Sequence, residues 1–181
     1  YTSMQAVPAF LPSVLAGKNI PCLIPLGIDQ DVHFRLTRDV IGKLGYYKPA
    51  LIHNQFLPSL HGSGKMSASL QDSSIYTTDN PDEVRQKIMK YAFSGGQATI
   101  AEHRKLGGNP DIDVSYLWMK MLLEPNDKKL ARIYEDYKTG KILTSELKDI
   151  AIDKINTFLK IHQKARNAAR KKVDKYLLKI K

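Results

Sequence analysis

Lys65, Ser67 and Ser69 fall within the run Lys65-Met66-Ser67-Ala68-Ser69, directly after the glycine-rich stretch His61-Gly62-Ser63-Gly64. An ammonium and two hydroxyls on such a loop can hold a polyphosphate. The lysine opposes the negative charge, while hydroxyls and loop N–H groups donate to phosphate oxygens. The same residues also suit an ordinary solvated surface loop. A Walker A reading of Gly-Ser-Gly-Lys fails on spacing. That loop needs a glycine where Ser59 stands and a serine or threonine where Met66 follows the lysine.

A second group with chemical capacity is Gly27-Ile28-Asp29-Gln30, which follows the apolar run Pro21 to Leu26 and precedes a helical pattern. The turn therefore joins a strand to a helix, the place where open α/β sheets bind ligands. Gly27 permits close backbone approach, Asp29 can accept from ribose hydroxyls or an ammonium, and Gln30 can both donate and accept. Asp29 also fits a plain helix N-cap.

Two kinds of element must position these groups. Residues 1 to about 78 read as α/β. Cys22 to Leu26 and Pro49 to His53 are the expected buried strands, with a helix from Asp31 to Leu44 between them ended by Gly45. From Thr78 the pattern is helical. Asn80-Pro81 opens a helix to about Ala92, and others are expected over Ala98–Leu106, Val114–Leu123 and from Pro125 to Gly140. A long basic element follows from Thr144, with Leu147, Ile150, Ile155, Phe158, His162, Ala165 and Ala169 along one side. The fold class is thus α/β then all-α, with units over 1–78 and 79–181. Trp118 and its neighbouring methionines belong to a core rather than to a ligand box.

Composition narrows the function classes. Hydrophobic content of 43% with 25% charged residues is that of a globular protein, and no apolar run approaches the length of a membrane span. Cys22 has no partner cysteine and reads as a small buried core residue suited to a reducing compartment, while the five histidines lack metal-ligand spacing. The formal charge is +10, and Lys160 to Lys181 holds nine basic residues against Asp174 alone, +8 of that total. Such a block is either a solvated helix face or the footprint of RNA contact.

The two loops together resemble the class I aminoacyl-tRNA synthetases, in which a GxDQ turn and a KMSKS loop border one nucleotide site. Further runs narrow the resemblance to the eukaryotic-type tryptophanyl branch. These are Met4 to Phe10, Phe34-Arg35-Leu36-Thr37-Arg38-Asp39, Ala92-Phe93-Ser94-Gly95-Gly96 and His103-Arg104-Lys105-Leu106-Gly107-Gly108. Ala68 departs from the class-wide second lysine of KMSKS, as is usual in that branch, and leaves Lys65 as the motif's lone lysine.

The resemblance implies the second half of a Rossmann-type catalytic domain followed by a helical anticodon-binding bundle, and ATP as substrate with Mg²⁺ sharing its charge. Lys65 becomes the catalytic residue, with Gly27, Asp29, Gln30, Lys65, Met66, Ser67 and Ser69 toward ATP. Gln5 and Gln30 then face tryptophan. Contacts to tRNA(Trp) are expected from Lys160, Lys164, Lys171 and Lys175, and from Gln97 and His103. A cytoplasmic homodimer is implied for the full-length enzyme. No HIGH-type motif occurs in these residues, so the chain is expected to be a C-terminal half, inactive alone. Tyrosyl-tRNA synthetase, a non-catalytic RNA-binding module and a signalling fragment are the competing readings.

Overall fold

The computed structural model describes residues 1–62, 64–67 and 70–175. The chain packs as two compact units, Tyr1–Phe56 and Leu57–Lys181.

The first unit holds α1 (Thr2–Ala6), α2 (Leu11–Ala16), β1 (Leu23–Gly27), α3 (Asp31–Ile41) and β2 (Ala50–Asn54). β1 and β2 are parallel, in a register running from Leu23 opposite Ala50 to Gly27 opposite Asn54. Parallel neighbours need a crossover, and α3 supplies it, burying Phe34, Thr37 and Ile41. A single 3-10 turn (Gly42–Leu44) continues α3 before Gly45 reverses the chain at φ 84°. Both strands begin one residue later than their apolar runs suggest. They are also less buried than expected, with Leu23 60% and Ile52 48% exposed. Two strands alone leave much of a parallel sheet uncovered. Cys22 is likewise only half-buried, beside the strand rather than inside a core. The short helices α1 and α2 had no periodicity to announce them. α2 opens with Pro12 in its first turn and ends at Gly17 in the left-handed region (φ 63°).

The second unit consists of a long connecting loop and α4 (Pro81–Tyr91), α5 (Ile100–Leu106), α6 (Val114–Trp118), α7 (Asp127–Lys138) and α8 (Thr144–Arg170). α4 and α5 each start on a capping box, Asn80 with Glu83 and Thr99 with Glu102. α6 widens into a π-helical stretch over Met119–Leu123. One core cluster joins Leu60, Val84, Ile88, Val114, Trp118, Ile152, Ile155 and Leu159, with Leu57, Met66 and Ile75 packed against it. The packing boundary therefore lies at Phe56/Leu57 and the expected one at 78/79, because the connecting loop's apolar residues are buried on the helices.

The buried face of α8 is Leu147, Ala151, Ile152, Ile155 and Leu159. Of the expected stripe, Phe158 is 44% exposed and Ala165 and Ala169 are exposed. The core face sits one residue round from the sequence reading. Beyond Gln163 every residue of the helix is exposed among the described residues.

Asp113 ties the second unit together. Fully buried, its carboxylate accepts from the N–H groups of Gly95 (3.0 Å), Ser115 (2.9 Å) and Tyr116 (3.3 Å), and from the Tyr137 hydroxyl (3.0 Å). Burial raises its pKa while these donors oppose the rise. The same burial and the facing carboxylate push the Tyr137 hydroxyl far up, so it stays a donor. Gly95 is required here by close approach, since a Cβ would stand 1.9 Å from the Asn109 carbonyl oxygen. Asp113→Ala strands four donors, each costing about 1–3 kcal/mol when buried and unpaired. Allowing for relaxation, denaturant unfolding should show a loss of about 3–5 kcal/mol. Because the folded pKa is raised, wild-type stability should also decline as pH rises through it. Asp113→Asn should lack that decline.

Candidate nucleotide site and RNA-facing helix

In the first unit the Gly27–Gln30 turn lies where the sequence places it, at the C-terminal end of β1. Gly27 is extended (φ −68°, ψ 145°), so its role is not backbone freedom. Space is the reason: a Cβ would come 2.9 Å from Phe56 Cζ and 3.0 Å from Asp29 Oδ1. Asp29 is exposed on the single 3-10 turn that follows. Gln30 is half-buried, and its Oε1 is enclosed with no hydrogen-bond partner. An enclosed, unmatched amide oxygen is costly unless a ligand donates to it. An ammonium or hydroxyl donor is what it lacks.

The turn is buttressed by Asp31, whose carboxylate pairs with His53 Nε2 at 2.8 Å and with Arg35 at 2.5 Å. The hydrogen bond with His53, aided by Arg35, holds the Asp31 carboxyl below its usual range. That link joins the end of β2 to the start of α3, while Asn54 Nδ2 donates to the Leu26 carbonyl at 3.2 Å. Gln5 sits on α1 and donates from Nε2 to the Tyr1 hydroxyl at 2.7 Å. Its amide oxygen is left to face other donors.

The polyphosphate loop belongs to the second unit. Pro58 and Lys65 are bridged antiparallel, Ser59 N–H donates to the Gly64 carbonyl at 3.1 Å, and Gly62 N–H donates to Ser59 at 3.0 Å. Gly62 (φ 82°) and Gly64 (φ 73°) are both left-handed, which the tight hairpin requires. Lys65 is exposed on the returning side of this hairpin, while Met66 and Ser67 are half-buried. Ser73, buried to 2% exposure, donates to Leu70 O at 2.7 Å and lies 3.2 Å from Ser67 O. Ser67 N–H points back to its hydroxyl at 3.4 Å. Ser69 and Ala68 lie outside the described residues. Ser73 was not singled out from sequence, where a serine in a polar stretch carries no signal.

Of the expected RNA contacts, Lys160 and Lys164 are exposed on α8, and Lys171 and Lys175 are exposed just beyond it. His103 is a correction. It is 3% exposed, accepts from Gln97 N–H at Nδ1 (3.4 Å) and so donates from Nε2 to the Ile142 carbonyl (3.0 Å). Both ring nitrogens serve the fold, leaving none for a phosphate. Gln97 spends its side-chain N–H on the Gly107 carbonyl at 2.9 Å. The Gly-Gly pairs around them fix this packing, since a Cβ on Gly108 would meet the Tyr137 ring at 2.5 Å.

The strand-to-helix GIDQ turn, the lysine hairpin and the helical unit with a basic end are the features on which the resemblance to class I synthetases rests. The family model for class I tRNA synthetases of the W and Y group matches residues 1–160, and the chain belongs to that family. Within it, the chain is 58% identical over 154 residues to the tryptophan–tRNA ligase of Sulfurisphaera tokodaii, covering 84% of this chain and 40% of that protein. It is 48% identical over 183 residues to the cytoplasmic tryptophan–tRNA ligase of Schizosaccharomyces pombe, covering 98% and 45%. The solved tryptophanyl-tRNA synthetase of Giardia lamblia superposes with a TM-score of 0.75 at 44% identity, covering 81% of this chain and 36% of that one. The chain thus spans less than half the length of the relatives it matches.

Proposed function

We propose that this chain provides the GIDQ turn, the Lys65 loop and the tRNA-binding helices of a tryptophan–tRNA ligase. Such an enzyme joins tryptophan to the α-phosphate of ATP with release of pyrophosphate, then passes the aminoacyl group to the 3′ end of tRNA(Trp). The match with tryptophan–tRNA ligases, kept in order along nearly the whole chain, carries the reading. The enclosed, partnerless Gln30 Oε1 agrees with it, being suited to the α-ammonium of an amino acid, with Gln5 as a second amide for the same substrate.

In this reading Lys65, Ser67 and Ser69 hold the triphosphate, the Met66 segment seats them, and Asp29 beside Gly27 accepts from the ribose. Catalysis of the first step is positioning plus stabilisation of charge around the α-phosphate. Mg²⁺ would share the triphosphate charge, and no side chain is assigned to it. Residues 1–78 then serve the catalytic domain and 79–181 the tRNA, with the packing boundary at Phe56/Leu57 letting the Lys65 loop ride on the helical unit. Homodimerisation and a cytoplasmic location complete the proposal, the latter supported by the name of the Schizosaccharomyces pombe relative.

The RNA contribution is tested with charge reversal. Lys160 and Lys164 lie on α8, where successive residues turn at about 3.6 per turn, and Lys171 and Lys175 lie just past its end, so two or three of the basic residues can face one RNA. Each neutralised phosphate adds roughly 0.7–0.9 to the slope of log affinity against log salt. Lys164, Lys171 and Lys175 reversed together to glutamate should weaken tRNA binding and flatten that slope. Adenylate formation by a polypeptide of the relatives' full length that carries the same reversals should be untouched. Unchanged affinity and slope in salt titrations would assign these charges to solubility.

A further inference from the structure

We propose that Trp118 is a positioning residue for Lys65, fixing the polyphosphate loop to the core of the helical unit. The proposal rests on the nucleotide reading of that loop. Trp118 is the one tryptophan of the sequence and is 5% exposed at the end of α6. Its indole N–H donates to the Pro58 carbonyl at 2.9 Å. Pro58 is the residue bridged to Lys65 across the hairpin, so the indole holds the segment that faces Lys65, and the Pro58–Lys65 bridge passes that hold to the segment that presents the ammonium.

The residues beside this link share its packing. Leu57 before Pro58, and Met66 after Lys65, both pack on the cluster that contains Trp118, Ile155 and Leu159. Between them lies an apolar cleft of about 100 Å³ lined by Met66, Ile75, Trp118, Leu123, Phe158 and Leu159. The loop is thus pinned at three points: Pro58 by the indole N–H, Met66 by apolar contact, and Ser67 by the buried Ser73 hydroxyl. A buried tryptophan normally finds a partner for its N–H, and here the partner chosen is the backbone of the loop rather than the bundle. Since Ile155 and Leu159 belong to α8, the helix that carries Lys160 and Lys164 also forms the wall against which the loop rests.

A positioned lysine matters because stabilisation of developing charge depends on donors already in place. Trp118→Phe keeps an aromatic ring in the core and deletes only the N–H. Ile133→Val, in the other core cluster, serves as a control that lowers stability without touching the loop. Hydrogen exchange of the full chain should show the Ser59 and Gly62 amides opening about fivefold faster in Trp118→Phe, the factor expected for one neutral hydrogen bond. Ile133→Val should leave them unchanged relative to the rest of the unit. In parallel, Mg-ATP binding is read by equilibrium dialysis and by the emission of Trp118 in the wild-type chain.

Mg-ATP should change that emission along the dialysis curve, Lys65→Ala should weaken both responses, and Trp118→Phe should weaken dialysis-measured binding by about fivefold. Loop exchange and ATP affinity equal to wild type in Trp118→Phe, with Lys65→Ala still defective, would overturn the positioning role and leave the nucleotide reading intact. ATP binding indifferent to Lys65→Ala would overturn the nucleotide reading of the loop, and the proposal with it.

Discussion

Lys65→Ala, placed in a polypeptide of the relatives' full length, should slow tryptophanyl-adenylate formation by about 10²–10³-fold, roughly 3–4 kcal/mol of transition-state stabilisation. Ala68 follows two residues later where the wider class has a second lysine, so the motif itself holds no other cation to take over. The loss should fall on the rate rather than on tryptophan affinity, because an interaction made mainly in the transition state lowers kcat and kcat/KM together. Pre-steady-state measurement of adenylate formation, with tryptophan binding measured separately, checks both quantities. Equal losses in the two would make Lys65 a ground-state ligand of tryptophan rather than a group that acts on the triphosphate.

The second large effect concerns the 181 residues by themselves. A span of 154 residues matches 40% of the Sulfurisphaera tokodaii ligase, and the sequence contains no HIGH-type motif, the element that the resemblance implies for the other half of the site. Tryptophan-dependent pyrophosphate exchange by the isolated chain should therefore stay at background, even where Mg-ATP binding to the Lys65 loop is measurable. The physical reason is that a rate enhancement built from positioning collapses when half of the positioning groups are lacking. Exchange by the isolated chain at the rate of a complete synthetase would remove the need for any complementary half.

The sequence disclosed the chemistry-bearing loops better than it disclosed what supports them. Gly27 was readable as a point of close approach, and Phe56 proves to be what approaches. The helix start at Asn80 was legible because a capping residue and periodicity coincide there, while the start at Thr144, whose N-cap is Leu143 without a side-chain cap, was legible from periodicity alone. The face of α8 was misjudged by one residue beyond Ile155, since leucine, phenylalanine and alanine occur on adjacent stripes and only packing against α4 and α6 chooses between them. His103 looked available because a histidine beside basic residues is ambiguous in sequence. Its burial depends on Ile142 arriving from a distant turn. The Trp118–Pro58 bond was invisible for the same reason, its partners lying 60 residues apart. The Ser73 hydroxyl, by contrast, makes only local contacts and was missed because a serine in a polar stretch carries no signal.

The most direct measurement of the central claim is tryptophan-dependent pyrophosphate exchange by a chimera. In it, this chain replaces the matching span, 45% of the length, of the Schizosaccharomyces pombe ligase. If the chain supplies the GIDQ turn and the Lys65 loop of a tryptophan–tRNA ligase, the chimera should exchange pyrophosphate with tryptophan and not with tyrosine, and Lys65→Ala should remove the activity. A chimera that folds and binds ATP yet shows no tryptophan-dependent exchange, beside an active parent, would contradict the account.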